Sequence, residues 1–201
     1  METVEVDGSR GRPRLLLASA SPRRSALLRQ LGLSFDILNV DVDEEGVTAG
    51  VRAPREVARR RALAKAQAAV TACPDRLVIA ADTVVAYGGR VLGKPIDARQ
   101  AEQMLRTLSG RSHLVHTAIV LARRGELAIA VEYARVAFRH LDDAEIRRYA
   151  SGPEPLDKAG GYALQGAAAA FVRRIEGEYT TVVGLPLCRL SVMLGVWGIG
   201  N

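Results

Sequence analysis

The sequence predicts an α/β fold, and three observations carry that reading. An apolar triplet, Leu15-Leu16-Leu17, reads as a short buried strand and leads directly to a helix start at Ser21-Pro22. A second apolar run, Leu77-Val78-Ile79-Ala80-Ala81, comes straight after a long helical stretch over 54–72. Farther on, two extended stretches over 114–122 and 127–138 are joined by Arg123-Arg124-Gly125, the pattern of two strands and a turn.

Taken in order, Ser21 is a good N-cap and Pro22 suits the first helical turn. Leu27, Leu28 and Leu31 follow at helical spacing, and Gly32 is a C′ stop. A helix start offers unpaired N–H groups and the positive end of a dipole, which suit an anion. Ser19 and Ser21 bring hydroxyls to this turn, and Arg23 and Arg24 add a bidentate clamp for phosphate oxygens. The same residues also read as an ordinary strand–turn–helix with exposed arginines. A strand is expected over 34–40. It leads into Asp41-Val42-Asp43-Glu44-Glu45-Gly46, whose carboxylates can hold a hard divalent cation or simply face water. The helix over 54–72 is expected to bury Val57, Leu63, Ala66 and Val70 and to carry Arg59, Arg60, Arg61 and Lys65 on its other side.

The run at 77–81 ends in Asp82-Thr83. An aspartate there marks the carboxyl end of a strand, the edge where α/β sheets bind ligands. Asp82 can hold a metal ion, take a proton from water, or merely form a turn. Val84 to Tyr87 continue extended into a Gly88-Gly89 hairpin. The following GGRVLGK nearly spells a P-loop, but Pro95 stands where a magnesium-binding Ser or Thr belongs and the strand-to-helix context is missing. Lys94 can still reach a phosphate as a point charge. Asp97 with Gln100 caps a helix that closes at Ser109-Gly110, and Asp142 with Glu145 caps another that ends near Ser151-Gly152. His113 and His116 fall on opposite faces of a strand, which argues against a shared metal. The Gly-rich segment 157–166 is irregular; it can wrap a ligand, with Gln165 offering an amide to a base edge, or serve as a connector. A polar turn is expected over 176–181, and a last helix from Leu185-Pro186-Leu187 with Leu190 and Leu194 inward.

Composition narrows the function classes. The 201 residues can bury a real core, and the +6 charge is spread along the chain without a basic block. Three phenylalanines, five tyrosines and one tryptophan are thin for base-stacking platforms, so nucleic acid is not expected as a partner. Cys73 and Cys188 lack metal-ligand spacing and read as reduced buried thiols of a cytosolic protein. The polar start lacks a signal sequence, and no apolar run is long enough for a membrane span. Only Lys65, Lys94 and Lys158 are lysines, against 25 arginines. A lysine kept in such a chain is a candidate for a place that needs a compact ammonium.

These motifs together resemble one family, the Maf proteins, nucleoside triphosphate pyrophosphatases also named for septum formation. The resemblance runs from about Arg14 to Leu194. It rests on Ser19-x-Ser21-Pro22-Arg23-Arg24, Asp43-Glu44, Lys65-Ala66, Ala81-Asp82-Thr83-Val84 and Gly93-Lys94-Pro95. It continues through Ser109-Gly110-Arg111-x-His113, Asp157-Lys158-Ala159-Gly160, Leu164-Gln165-Gly166 and Val183-Gly184-Leu185-Pro186. It implies a fold like that of the inosine triphosphate pyrophosphatases: a long mixed sheet flanked by helices, with two lobes around a central cleft. One such domain is expected over 14–201, after a poorly ordered tail over 1–13.

The resemblance also implies cleavage between the α- and β-phosphates with Mg²⁺ or Mn²⁺, in a cytoplasmic homodimer. Asp82 matches the family's proton acceptor, and Glu44 with Asp82 are the carboxylates expected to hold the metal, directly or through water. Arg23, Lys65 and Lys94 match the family's phosphate-binding arginine and lysines, and Arg23, Thr83 and Gln165 its specificity positions; Ser19, Ser21 and Arg24 at the helix start are candidates for the same substrate. The branch acting on dTTP and UTP carries glutamine where Gln165 stands; the 7-methyl-GTP branch looks to carry glutamate. Broad activity on modified nucleotides, and a nucleotide-sensing division regulator without turnover, are the other readings. One departure is Ala167-Ala168-Ala169, where relatives often carry glycines; the lost flexibility can tighten or reshape the base pocket.

Overall fold

The computed structural model describes residues 15–199. The tail expected over 1–13 lies outside the described residues. A seven-stranded mixed sheet runs in the order β2-β1-β3-β5-β6-β7, with β4 also paired to β3. Strand β1 (Leu15–Ala18) lies parallel to β2 (Phe35–Ile37) and to β3 (Leu77–Tyr87). The rest is antiparallel: β3 with β4 (Arg90–Leu92), β3 with β5 (Ser112–Arg123), β5 with β6 (Glu126–Phe138) and β6 with β7 (Val172–Glu176). The mixed α/β sheet expected from the sequence is therefore present.

Strand β3 pairs with β5 from Val78 to Ala86, along nearly its whole length. Its other edge meets β1 only up to Ala80 and β4 only from Val85. Residues 81–84 thus have a strand neighbour on one side alone, and a cleft opens on the other. Asp82 does not end a strand, as expected, but sits in the middle of one. What ends beside it is β1, whose last partner is Ala80.

Alternation along β3 splits the core. Ile79 and Ala81 pack with α1 (Pro22–Gln30) and α6 (Leu187–Val196) through Leu27, Leu28, Leu190 and Leu194. Val78, Ala80 and Val84 face α2 (Pro54–Ala72). The buried face of α2 is Val57, Ala58, Ala62, Ala66 and Ala69, whose small side chains let the helix lie close on the sheet. Leu63 and Val70, expected inward, are only partly buried. A third cluster gathers α3 (Ala98–Leu108) and α4 (Asp143–Ala150) around Leu105, Phe138 and Ile146.

Local chemistry explains most boundaries. Asp97 accepts from Gln100 N at 2.7 Å while Gln100 Oε1 accepts from Ile96 N, and Asp142 accepts from Glu145 N at 2.8 Å. Ser21 occupies the N-cap of α1, but its side chain makes no capping bond; Ser19 Oγ instead accepts from Ser21 N at 3.2 Å. Gly88 and Gly89, both at positive φ, turn β3 into β4, so the P-loop-like string is a hairpin. The strand expected over 34–40 shrinks to 35–37 because its neighbour β1 is itself only four residues long. The polar turn expected over 176–181 ends in α5 (Tyr179–Val183), and β7 before it was not foreseen. Cys73 is half-buried and Cys188 is exposed, so neither is the buried thiol expected.

Gly160 fastens the irregular 157–166 segment to the sheet. Its N–H donates to Gly93 O at 2.9 Å, its φ is +72°, and an added Cβ would lie 2.8 Å from Val85 Cγ1. Gly32 shares the left-handed backbone at φ +66°, yet an added Cβ there meets open space. Both alanine substitutions carry a backbone cost of about 1 kcal/mol. Gly160→Ala is expected to lower the denaturation midpoint clearly more than Gly32→Ala, because Val85 must also move; equal midpoints would refute this packing.

Candidate active site

The gap beside residues 81–84 opens into a cleft of about 870 Å³. Its walls come from the β1–α1 turn, the 40–45 loop, α2, the middle of β3, the β4 end and the 157–165 segment. Ser19, Ser21, Arg23 and Arg24 line it from the turn, and Glu44 from the acidic loop. Lys65, Asp82, Thr83, Lys94 and Gln165 complete the set, so every candidate site residue named from the sequence meets in this one cavity.

The floor is an ion triad. Lys65 Nζ lies 2.6 Å from Asp82 Oδ1 and 2.7 Å from Glu44 Oε1. Asp82 is buried, and its Oδ2 has no hydrogen-bond partner. Burial pushes the Asp82 carboxyl up, against the opposing pull of Lys65 and Arg24. At Glu44 burial also pushes upward, but the hydrogen bond and charge of Lys65, with Arg61 and Lys94, outweigh it and hold that carboxyl low.

The acidic loop does not gather into a four-carboxylate cage. Asp43 turns back to accept from Gly46 N at 2.9 Å, and Asp41 and Glu45 are exposed. Among the described residues no three His, Cys, Asp or Glu side chains cluster as a metal cage. Glu44 and Asp82 meet at the Lys65 ammonium, and the Asp82 Oδ2 is buried without a hydrogen-bond partner among the described residues. Two carboxylates suit an octahedral hard cation that takes its other ligands from phosphate oxygens and water, so the residues present fit Mg²⁺ or Mn²⁺.

The neighbouring arginines divide. Arg24 donates to Gly184 O at 2.8 Å, Ser19 Oγ at 3.1 Å and Thr83 Oγ1 at 3.3 Å. Burial lowers its pKa, although a guanidinium stays charged in any working range. Three of its five N–H groups are engaged by the protein, so Arg24 braces the turn from the cleft wall. Arg23 and Lys94 make no hydrogen bond or ion pair among the described residues, and both face the cleft. Arg61, assigned from the sequence to a solvated face, also lines the cleft, with Nη1 3.4 Å from Glu44. Nothing in its run of three arginines distinguishes it. Lys158 lines the cleft as well, paired with Asp157.

The Gln165 loop is tied down on both sides. Ala163 N donates to Tyr149 Oη at 3.1 Å, Tyr149 Oη donates to Glu154 at 2.7 Å, and Ala167 N donates to the other Glu154 oxygen at 3.2 Å. Residues 167–171 form a 3-10 turn with Ala168 fully buried. No alanine there has positive φ, so alanine replaces glycine without strain. His113 and His116 do separate: His113 is buried against Tyr162 Oη at 2.7 Å and burial holds it down to about 4, while His116 stacks near Tyr133.

Residues 14–196 match the sequence profile of the family described as Maf-like protein. The chain is 50% identical over 186 residues to a dTTP/UTP pyrophosphatase of Pelotomaculum thermopropionicum, spanning 92% of this chain and 96% of that one. It is 44% identical over 196 residues to a dTTP/UTP pyrophosphatase of Hahella chejuensis, spanning 96% of each. A HAM1 protein from Coxiella burnetii shares the fold, with a TM-score of 0.53 at 18% identity over 92% of this chain and 100% of that one.

Lys65→Met tests the triad. It leaves Asp82 buried beside Glu44 without the shared ammonium. The expected loss at neutral pH is about 3 kcal/mol, the low end for breaking a buried pair because Glu44 stays partly in water. Once both carboxyls are protonated the ammonium has nothing left to neutralise. The loss relative to wild type therefore shrinks as pH falls through the carboxyl range. Urea unfolding from acid to neutral pH measures it, and a loss independent of pH would contradict the triad.

Proposed function

This chain belongs to the Maf-like protein family, and on that premise we propose that it hydrolyses dTTP and UTP to the nucleoside monophosphate and pyrophosphate. The observation that carries the reading is a buried carboxylate in the cleft lining, Asp82, whose Oδ2 accepts no hydrogen bond among the described residues, together with Arg23 and Lys94, which line the same cleft and make no hydrogen bond or ion pair among those residues. A polyanionic tail is the ligand that such uncommitted cations complement. The named activity of the relatives from Pelotomaculum and Hahella agrees with it.

The residues then take the following roles. Arg23 and Lys94 bind the phosphates, and the α1 start with Ser19 and Ser21 offers further donors. Lys65 opposes the upward push of burial on the Asp82 carboxyl, by its charge and by a hydrogen bond to Oδ1. Oδ2 is left to take a proton from water as that water attacks the α-phosphorus. The bond to the bridging oxygen breaks, and its electron pair leaves with pyrophosphate. Glu44 and Asp82 would hold Mg²⁺ or Mn²⁺, which when bound neutralises charge on the phosphate oxygens. Gln165 presents a neutral amide to the base, which suits uracil or thymine better than a cationic methylated guanine. A cytoplasmic homodimer belongs to the same reading.

Asp82→Asn keeps the shape and removes the proton acceptor. Its turnover is expected to fall at least about a hundredfold, with nucleotide affinity largely kept. In the wild type, burial raises the Asp82 carboxyl, so activity should drop on acidification at a pH above the ordinary aspartate range. A panel of nucleoside triphosphates with Mg²⁺ or Mn²⁺, scored for pyrophosphate against orthophosphate, measures both. Release of orthophosphate, or an Asp82→Asn variant with unimpaired turnover, defeats the assignment.

A further inference from the structure

The hydroxyls behind Thr83 form a chain with a fixed direction. Thr117 is fully buried on β5 and pairs directly across from Thr83. It donates to the Thr181 carbonyl oxygen at 2.8 Å. A carbonyl can only accept, and a hydroxyl has one hydrogen, so Thr117 has none left to give. The Thr83 and Thr117 hydroxyl oxygens lie 2.9 Å apart, and the hydrogen between them therefore comes from Thr83. Arg24 Nη2 donates into Thr83 Oγ1 from another side at 3.3 Å. Thr83, half-buried on the cleft wall, thus turns its hydrogen away from the cleft and offers only a lone pair.

We propose that Thr117 is a positioning residue for substrate selection, fixing Thr83 as an acceptor toward the nucleobase. The proposal rests on the reading of the cleft as a pyrimidine nucleoside triphosphate site. The imide N–H of uracil or thymine can donate to Thr83. Cytosine presents an accepting ring nitrogen at the equivalent position, so two lone pairs would face each other. A Thr83 hydroxyl free to rotate could meet either base. The direction of the chain, set by the Thr181 carbonyl, is what separates them.

The test compares kcat/KM for UTP and CTP in wild type, Thr117→Val and Thr117→Ser. Wild type is expected to prefer UTP by at least about tenfold, the worth of one ordinary hydrogen bond. Thr117→Val removes the hydroxyl at nearly constant shape and is expected to lower that preference about tenfold, while Thr117→Ser keeps it. A merely structural role would weaken both substrates together and leave their ratio unchanged. An unchanged ratio in Thr117→Val overturns the proposal while leaving the pyrophosphatase reading intact. Wild type that releases no pyrophosphate from UTP or dTTP defeats that reading instead. Should Thr117→Val not fold, wild type assayed with N3-methyluridine triphosphate decides: a loss of about tenfold against UTP supports the proposal, and equal turnover overturns it.

Discussion

Strand β3 is paired along one edge and interrupted along the other, and the rest of the site follows from that interruption. Where β1 stops at Ala80 and β4 has not yet begun at Val85, the backbone of residues 81–84 borders open space instead of a neighbour. Side-chain alternation then presents Asp82 to α2 and Thr83 to the opposite face. One break in one ladder therefore supplies two different chemistries: a charged pocket on the α2 side and a hydroxyl relay on the other. The continuous pairing with β5 keeps both rigid.

Charge placement sorts the cleft's cations by availability. Lys65 is held by two carboxylates, Arg24 by three acceptors, and Lys158 by Asp157. These positions shape the site before any ligand arrives. Arg23 and Lys94 have no such commitments among the described residues. Arg23 and Arg24 are adjacent in sequence but point differently from the first turn of α1, so one can meet solvent anions while the other is drawn inward to Gly184 and Ser19. A buried guanidinium beside Asp82 also adds to the positive field that opposes the upward push of burial on that carboxyl.

Much of this was legible in the chain because the signals were local. The bounds of α2 follow from Pro54 and the Cys73-Pro74 stop, and those of α3 from the Asp97–Gln100 exchange. The candidate residues could be collected because their motifs recur in a fixed order. The failures were non-local. Asp82 read as the end of a strand because its run of apolar residues ends there; that the extended stretch 84–87 belongs to the same strand depends on β5, far along the chain. Strand β7, Val172-Arg173-Arg174-Ile175-Glu176, is highly charged without a strand's alternation and forms through its register with β6 over Arg135–Phe138. Arg61 was indistinguishable from Arg59 and Arg60 until the helix was set against Glu44.

The alanines after Gln165-Gly166 show how a departure in sequence can leave a geometry intact. Flexible glycines there would need something else to fix the loop. In this chain the loop is instead anchored on both sides of Gln165, through Ala163 to Tyr149 and through Ala167 to Glu154. Tyr149 and Glu154 are themselves hydrogen-bonded, so the two anchors move as one. Gly166 lies between them with no room for a side chain unless Glu154 shifts: an added Cβ would fall 2.3 Å from both its carboxylate oxygens. The burial of Ala168 adds an apolar contact that glycine would lack. Gln165 is therefore presented to the cleft by a braced loop, and an amide that reads a base edge gains discrimination when it is not free to follow the wrong one.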